Sequence, residues 1–137
     1  MSDDTKFTYN SNRGTKYWIT AHLIFVVKYR KPLLVSFGSY IKNKIYEISK
    51  RNDFDIITTE VDRDHIHILV SYSPKISISQ IVRCLKSETT FHIWQKYEDI
   101  LKYQFWKKRM FWSPSYFVCS TGQACQKTIE KYIMSQG

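Results

Sequence analysis

The sequence predicts an α+β fold in which one antiparallel sheet is covered by helices on one face. Alternating apolar residues indicate strands, and apolar residues at helical spacing indicate amphipathic helices. The two kinds of stretch follow each other as strand, helix, strand, strand, helix, strand, helix. The first six elements match the ferredoxin-like βαββαβ plan, and a C-terminal helix is added to it.

Four stretches have the composition of strands, with β-branched and aromatic residues that alternate with polar ones or form short apolar runs. The predicted strands cover residues 17–28, 54–61, 65–70 and 116–119. In the first, alternation separates an apolar face from one that carries His22. The tight link Asp62-Arg63-Asp64 between the second and third strands predicts a hairpin.

Three stretches have the apolar spacing of amphipathic helices. The predicted helices cover residues 37–51, about 78–96, and the segment after residue 120. The second helix has Ser77 or Ser79 as its N-cap. The predicted buried stripes are Phe37, Ile41, Ile45 and Ile48 in the first helix, Ile78, Val82, Leu85, Thr89 and Ile93 in the second, and Cys125, Ile129 and Ile133 in the third. Thr128, Tyr132 and Gln136 lie on an adjacent face of the third helix.

Length and composition narrow the classes of protein. A chain of 137 residues forms one domain, predicted over residues 16–137 after a flexible leader at residues 1–15. The N-terminus is polar and acidic, unlike a signal peptide, and no apolar run approaches the roughly 20 residues of a membrane span. The odd count of three cysteines, without a CxxC pair, argues against a disulfide framework, so free thiols in the cytoplasm are expected.

The chain has an excess of positive charge that favours a polyanionic partner. Its formal net charge is +9, and 16% of its residues are aromatic. In residues 102–112 cations alternate with aromatic rings, which suits unpaired nucleic acid because cations meet phosphates and rings stack on bases. The predicted DNA contacts are Lys28, Arg30, Lys31, Lys86, Lys107, Lys108 and Arg109. For each of them a solvated surface charge is the alternative, and some of the rings must belong to the core.

Two histidines separated by one residue are the strongest chemical signal. His65 and His67 share a face of the third strand and can point at one ion, although two polar-face histidines on a half-solvated strand are the alternative. Gln136 lies one helical turn beyond Tyr132 and offers an amide oxygen as a third ligand. Three protein ligands leave positions free on an octahedral ion, consistent with Mg²⁺ or Mn²⁺. A cation there would stabilise the charge that develops when a tyrosine hydroxyl attacks a phosphodiester.

These residues together resemble one family. The similar segments are Asp64-His65-Ile66-His67-Ile68-Leu69, Leu85-Lys86, Phe111-Trp112-Ser113-Pro114-Ser115-Tyr116 and Tyr132-Ile133-Met134-Ser135-Gln136. They resemble the single-tyrosine HUH transposases, the TnpA-type enzymes of insertion sequences that move as single-stranded DNA. The resemblance implies that His65, His67 and Gln136 ligate a divalent metal and that Tyr132 is the nucleophile.

The same resemblance implies a substrate and an assembly. The substrate would be single-stranded DNA with hairpins near the element ends, cleaved and rejoined through a 5′-phosphotyrosine intermediate. The protein would act as a homodimer in which the tyrosine helix of one subunit can complete the metal site of the other. Two alternatives stay open. One is an HUH nicking endonuclease or a domesticated relative, and the other is a non-catalytic ferredoxin-like nucleic-acid-binding module, which would usually carry stacking aromatics where this chain has His65 and His67.

Overall fold

The computed structural model describes residues 10–12, 15–120 and 124–136. Its strands are β1 (Asn10–Asn12), β2 (Thr15–Tyr17), β3 (Ile19–Val26), β4 (Phe54–Val61), β5 (His65–Tyr72) and β6 (Phe117–Cys119). Its α-helices are α1 (Leu34–Lys50), α2 (Ile78–Leu101) and α3 (Ala124–Ser135). A 3₁₀ turn at Lys28–Arg30 follows β3.

The main sheet has the strand order β4-β5-β3-β6, and every neighbouring pair is antiparallel. This is the predicted ferredoxin-like arrangement, so the predicted fold class is confirmed. β3 and β5 are the two central strands, and β4 and β5 form the predicted hairpin. The histidine strand β5 therefore has a paired strand on each side, which fixes its backbone.

The core lies between one face of this sheet and helices α1 and α2. Alternate residues at the central strands point into it, as the alternation predicts. The buried sheet residues are Ala21, Leu23, Phe25, Val27, Ile66, Ile68 and Val70. The helices contribute the predicted stripe residues Phe37, Ile41, Ile45, Ile48, Val82, Leu85, Thr89 and Ile93, whereas Ile78 is half-buried. The predicted α3 residues Cys125, Thr128 and Ile129 lie outside the described side chains.

The predicted elements differ from the observed ones mainly at helix ends. α1 begins at Leu34 rather than at residue 37, and Leu34 is itself buried. α2 continues to Leu101 rather than ending near residue 96, with a kink at Tyr97 that lets Leu101 reach the core. Its N-cap is Ser77, which forms a capping box with Gln80.

The predicted leader stays a prediction, and one prediction about the cysteines is wrong in part. Within the leader at residues 1–15, residues 10–12 form β1, which pairs with β2. Residues 1–9, 13 and 14 lie outside the described residues. Cys119 is disulfide-bonded and Cys84 is free, so free thiols were wrongly expected for Cys119. An odd number of cysteines excludes complete pairing but not a single bond, so the cysteine count does not support a reducing compartment.

Among the described residues, no helix combines the length and the apolar character that are needed to cross a bilayer.

Candidate active site

The predicted histidine pair lies on the sheet face that points away from the core. Directly opposed residues share a face, and one such row crosses the sheet from Glu60 through His67 and Ile24 to Phe117. His65 is opposed by Val26 in the next row on the same face. Both histidines are half-buried, so the structure places them as the alternation predicts.

His65 is held by a charged neighbour. Its Nδ1 lies 3.0 Å from Asp64 Oδ1, and Arg30 Nε donates to Asp64 Oδ2 at 3.1 Å. Burial raises the pKa of Asp64, but the hydrogen bonds from His65 and Arg30 outweigh it and lower the pKa below 3.8. The carboxylate is therefore ionised and fixes the imidazole through Nδ1. This leaves Nε2 as the ring nitrogen available to a cation, the usual arrangement when a carboxylate orients a metal-ligating histidine.

His67 contacts a third histidine. Its Nε2 lies 2.6 Å from His22 Nδ1, and the two ring centroids are 4.7 Å apart. Burial lowers the pKa of both imidazoles, and for His67 the neighbouring His22 lowers it further, while Glu60 acts in the opposite direction on both. Both rings are therefore neutral near pH 7, and one donates its N–H to the other.

The sequence predicts the face on which His22 lies but not its contact with His67. The alternation of β3 placed it on the correct face. The pairing register of β3 with β5, which sets it diagonally beside His67, could not be read from the sequence.

Helix α3, which carries Tyr132 and ends one residue before Gln136, lies over the same sheet face. The Tyr132 ring packs against Phe117, with 5.7 Å between ring centroids. Ile133 lines a pocket together with Arg30, Asp64 and His65. Because strands are about 4.8 Å apart, Phe117 stands two strands, or about 10 Å, from His67. One chain therefore brings the histidine pair and the tyrosine helix to one face, with space between them.

Two serines that the sequence left without a role contact both Tyr132 and Gln136, the predicted nucleophile and the predicted third ligand. Ser115 Oγ lies 2.8 Å from the Tyr132 hydroxyl. The Gln136 amide oxygen accepts hydrogen bonds from Ser113 Oγ at 3.4 Å and from Ser115 Oγ at 3.3 Å. The only signal in the sequence was their place in the segment 111–116, which carries no periodicity that predicts a contact.

Lys86 is turned towards the same loop. Its Nζ donates to the carbonyl oxygens of Ser113 and Ser115, each at 2.7 Å, and lies above the rings of Phe25 and Tyr116. Burial lowers its pKa from 10.5 to about 8. Lys86 thus differs from a solvated surface charge, because its ammonium group is bound to the backbone.

The other predicted DNA contacts lie nearer the surface. Arg30 pairs with Asp64, Lys31 donates to Gln104, Arg109 pairs with Glu98, Lys28 lies over Tyr29, Lys107 lies over Trp106, and Lys108 is exposed. Tyr29, Lys31, Trp106 and Lys107 line one pocket, so the two basic segments meet in space. Within residues 102–112 the rings divide, with Phe105, Phe111 and Trp112 buried and Tyr103 and Trp106 exposed.

The side chains at the histidine pair suit a divalent cation. His65 presents a free ring nitrogen on an oriented imidazole, and His67 is neutral. Among the described side chains, no three His, Cys, Asp or Glu residues are grouped so that they could hold a metal. Gln136, whose amide is a group of another type, lies just beyond the end of the helix above this face.

The domain has a ferredoxin-like sheet with a histidine pair on the face that points away from the core. A C-terminal helix that bears a tyrosine lies over this face. This combination matches the class of domain expected from the sequence. The chain belongs to the IS200-like transposase family, whose model, described as "Transposase IS200 like", matches residues 15–136. The family predicted from the sequence is thus confirmed, and the protein is a transposase.

Curated relatives and solved structures agree with this assignment. The ISDra2 transposase TnpA of Deinococcus radiodurans is 34% identical over 90% of this chain and 88% of its own length. The transposase for insertion sequence element IS200 of Salmonella typhimurium is 28% identical over 89% of this chain and 79% of its own length.

Among solved structures, a transposase from Deinococcus radiodurans R1 superposes with a TM-score of 0.85 at 28% identity, over 93% of this chain and 97% of its own. A REP-associated tyrosine transposase bound to a REP hairpin superposes with a TM-score of 0.54 over 90% of this chain and 70% of its own. At 15% identity the second likeness concerns the fold alone.

Proposed function

We propose that this transposase cleaves and rejoins single-stranded DNA at the ends of its insertion sequence, with Tyr132 as the nucleophile. The observation that carries the proposal is that Tyr132 lies on the same sheet face as His65 and His67 within one chain. A tyrosine packed only for stability would not need to share a sheet face with a neutral, oriented imidazole pair. We place the activity in the cytoplasm, because its DNA substrate lies there.

In the proposed cleavage step the Tyr132 oxygen attacks a phosphorus atom of one DNA strand. The new bond joins this oxygen to phosphorus, the bond from phosphorus to the 3′ oxygen breaks, and the phenolic proton passes to solvent. The leaving 3′ oxygen takes up a proton and becomes a free 3′-OH, while the 5′ phosphate stays on Tyr132. Rejoining reverses these steps with another 3′-OH, so the energy of the broken bond is kept and no nucleotide cofactor is required.

His65, His67 and Gln136 are the proposed ligands of Mg²⁺ or Mn²⁺. A bound cation would neutralise charge on the phosphate and on the leaving oxygen. Asp64 and Arg30 would keep His65 oriented for this purpose, and His22 would keep His67 oriented. Ligation by Gln136 requires its amide oxygen to share or leave the hydroxyls of Ser113 and Ser115.

The proposed substrate is single-stranded DNA with hairpin ends. The net charge of +9 supports a polyanionic partner, and the pocket between Tyr29 and Trp106 offers exposed rings beside Lys31 and Lys107. Lys28, Arg30, Lys108 and Arg109 add cations around it. A related tyrosine transposase has been solved with a REP hairpin, which supports hairpin recognition here.

The proposed assembly is a homodimer with active sites that can be shared. β6 is an edge strand of the described sheet, and an edge can pair with a second copy. Mixing Tyr132→Phe chains with His67→Ala chains tests this assembly. Recovered cleavage would mean that one chain supplies the tyrosine and the other supplies the metal ligands, whereas no recovery would mean that each chain uses its own.

The deciding experiment uses labelled single-stranded DNA that carries an element end, incubated with Mn²⁺ and separated on a denaturing gel. Wild type is expected to give a protein–DNA adduct, and Tyr132→Phe none, although both should bind the hairpin. An adduct that forms equally with Tyr132→Phe would remove Tyr132 from the role of nucleophile. A joined product from two labelled ends would distinguish transposition from nicking alone.

A further inference from the structure

We infer that Ser115 positions the Tyr132 hydroxyl for attack and that Lys86 holds Ser115 in place, an inference that rests on the proposed function. The 2.8 Å contact between Ser115 Oγ and the Tyr132 hydroxyl is a direct contact with the reacting atom. Ser115 is exposed and contributes nothing to the core, so its side chain is not there for packing. Neither Lys86 nor Ser115 is required as a ligand or as a nucleophile.

The loop that carries Ser115 is fixed on two sides. The Ser113 backbone N–H donates to Val26 O at 2.7 Å, which ties the loop to the central strand β3. Pro114 has no N–H to continue this pairing. Lys86 donates to the carbonyl oxygens of the residues on either side of Pro114, which are Ser113 and Ser115. Lys86 therefore determines where the Ser115 hydroxyl stands.

The hydrogen bonds of Ser115 link the nucleophile to the proposed third ligand. A serine hydroxyl has one proton to donate, and the Gln136 amide oxygen can only accept it. When Ser115 donates to Gln136, it accepts from the Tyr132 hydroxyl. As the phenolic proton leaves, Ser115 can turn its own proton towards the attacking oxygen, which removes one of the two serine hydrogen bonds to the Gln136 oxygen. One small rotation thus stabilises the attacking oxygen and frees a lone pair of the proposed ligand atom.

The dependence of the rate of adduct formation on DNA concentration distinguishes this positioning role from a structural one. Single-turnover adduct formation is measured against DNA concentration for wild type, Ser115→Ala, Ser115→Thr and Lys86→Met. Ser115→Ala should lower the rate at saturating DNA by about tenfold and leave the half-saturating DNA concentration unchanged, because one hydrogen bond and its alignment are lost. Ser115→Thr keeps a hydroxyl and should recover most of that rate.

Lys86→Met keeps an unbranched stem over Phe25 but removes the ammonium group. It should also lower the saturated rate by about tenfold, and combining it with Ser115→Ala should add little, because the two residues act through one contact. If Lys86 were a DNA contact instead, its loss would raise the half-saturating DNA concentration and leave the saturated rate unchanged.

Ser87 is exposed and lies beside Lys86 on α2. Ser87→Ala is therefore the neutral control and should form the adduct at the wild-type rate. Ser113→Ala should lower the saturated rate less than Ser115→Ala does. The reason is that Ser113 Oγ bonds Gln136, whereas Ser115 Oγ also contacts the Tyr132 hydroxyl. A wild-type rate for Ser115→Ala, or a loss of hairpin binding or of thermal stability that Ser115→Thr does not restore, overturns the inference. If wild type itself forms no adduct, the proposed function has failed instead.

Discussion

The two halves of the candidate site are built differently. The sheet-borne half, defined as His65 and His67, lies on the central strand β5. The residues that alternate with these histidines, Ile66 and Ile68, are fully buried. The helix-borne half, defined as Tyr132 and Gln136, lies at the end of α3, which follows a strand of three residues. Its side chains contact Ser113 and Ser115 of one loop, and Ser135 of the helix itself bonds both residues.

This difference matches the role that we propose for each half. A cation requires ligands at fixed distances, so its histidines gain from a backbone that opens only with the whole fold. A nucleophile that becomes attached to a DNA strand gains from an element that can open locally at lower cost. We therefore expect substitutions in the sheet-borne half to affect cation binding and global stability. Substitutions in the helix-borne half should affect the rate of cleavage.

The largest expected effect follows from removing a histidine. His65→Ala and His67→Ala should each weaken Mn²⁺ binding by more than about 100-fold, beyond the loss typical of an outer partner, and should abolish adduct formation. Isothermal titration calorimetry measures the first effect. His92→Ala, on α2, is the matched control and should bind Mn²⁺ like wild type. Unchanged Mn²⁺ affinity in both sheet variants would mean that the histidines are ordinary polar-face residues.

The two halves should also differ in how much they contribute to the free energy of unfolding. Ile68→Ala deletes a fully buried side chain of β5 and should lower the free energy of unfolding by about 2–5 kcal/mol. Ile133→Ala, on α3, removes a half-buried side chain and should cost less than about 1 kcal/mol. Urea unfolding measures both. Equal losses would show that α3 is as much a part of the cooperative fold as the sheet.

The carboxylate behind His65 allows a finer test of the sheet-borne half. Asp64→Asn keeps the size of the side chain but removes the charge that pairs with Arg30 and orients His65. Mn²⁺ affinity should fall by about 10–100-fold, less than on loss of a ligand. Asp62→Asn alters an exposed carboxylate of the same hairpin link and should change little. If the two variants behave alike, Asp64 does not orient a ligand.

The fold was predictable because its signals are local. One face of the sheet is core, so alternation specifies which residues of β3 and β5 point inward, and β4 has the bounds that its composition predicts. The end of α2 was harder to predict, because its extension to Leu101 depends on the core surface that this residue meets.

The site was predictable only where it has a sequence pattern. The spacing of His65 and His67 makes them candidates, as does that of Tyr132 and Gln136, and the structure brings both pairs to one face. Their roles stay predictions. The contact between His22 and His67 depends on the register of two strands, and that between Ser115 and Tyr132 on the path of a loop. Neither is specified by any local period. A helical wheel predicts that Lys86 is a surface charge. Its hydrogen bonds to the backbone depend on the path of the loop above it.

The smallest expected effect concerns the pair of neutral imidazoles in the sheet-borne half. Burial lowers the pKa values of His22 and His67 in the folded protein below 6.5, so in acid the unfolded chain binds more protons than the folded one. Stability should therefore decline as pH falls below about 6.5. Removing one imidazole with His22→Gln should flatten this decline, by less than about 1 kcal/mol because the rings are partly solvated.

Urea unfolding between pH 7.5 and 5 in EDTA measures this decline, with His92→Gln as the control. In that control the slope should match wild type, because His92 lies on α2 and leaves the contact between His22 and His67 intact. An unchanged slope in His22→Gln would mean that the two imidazoles do not resist protonation as a pair. The contact with His22 would then not affect the protonation of His67, and Asp64 and Arg30 would still orient His65.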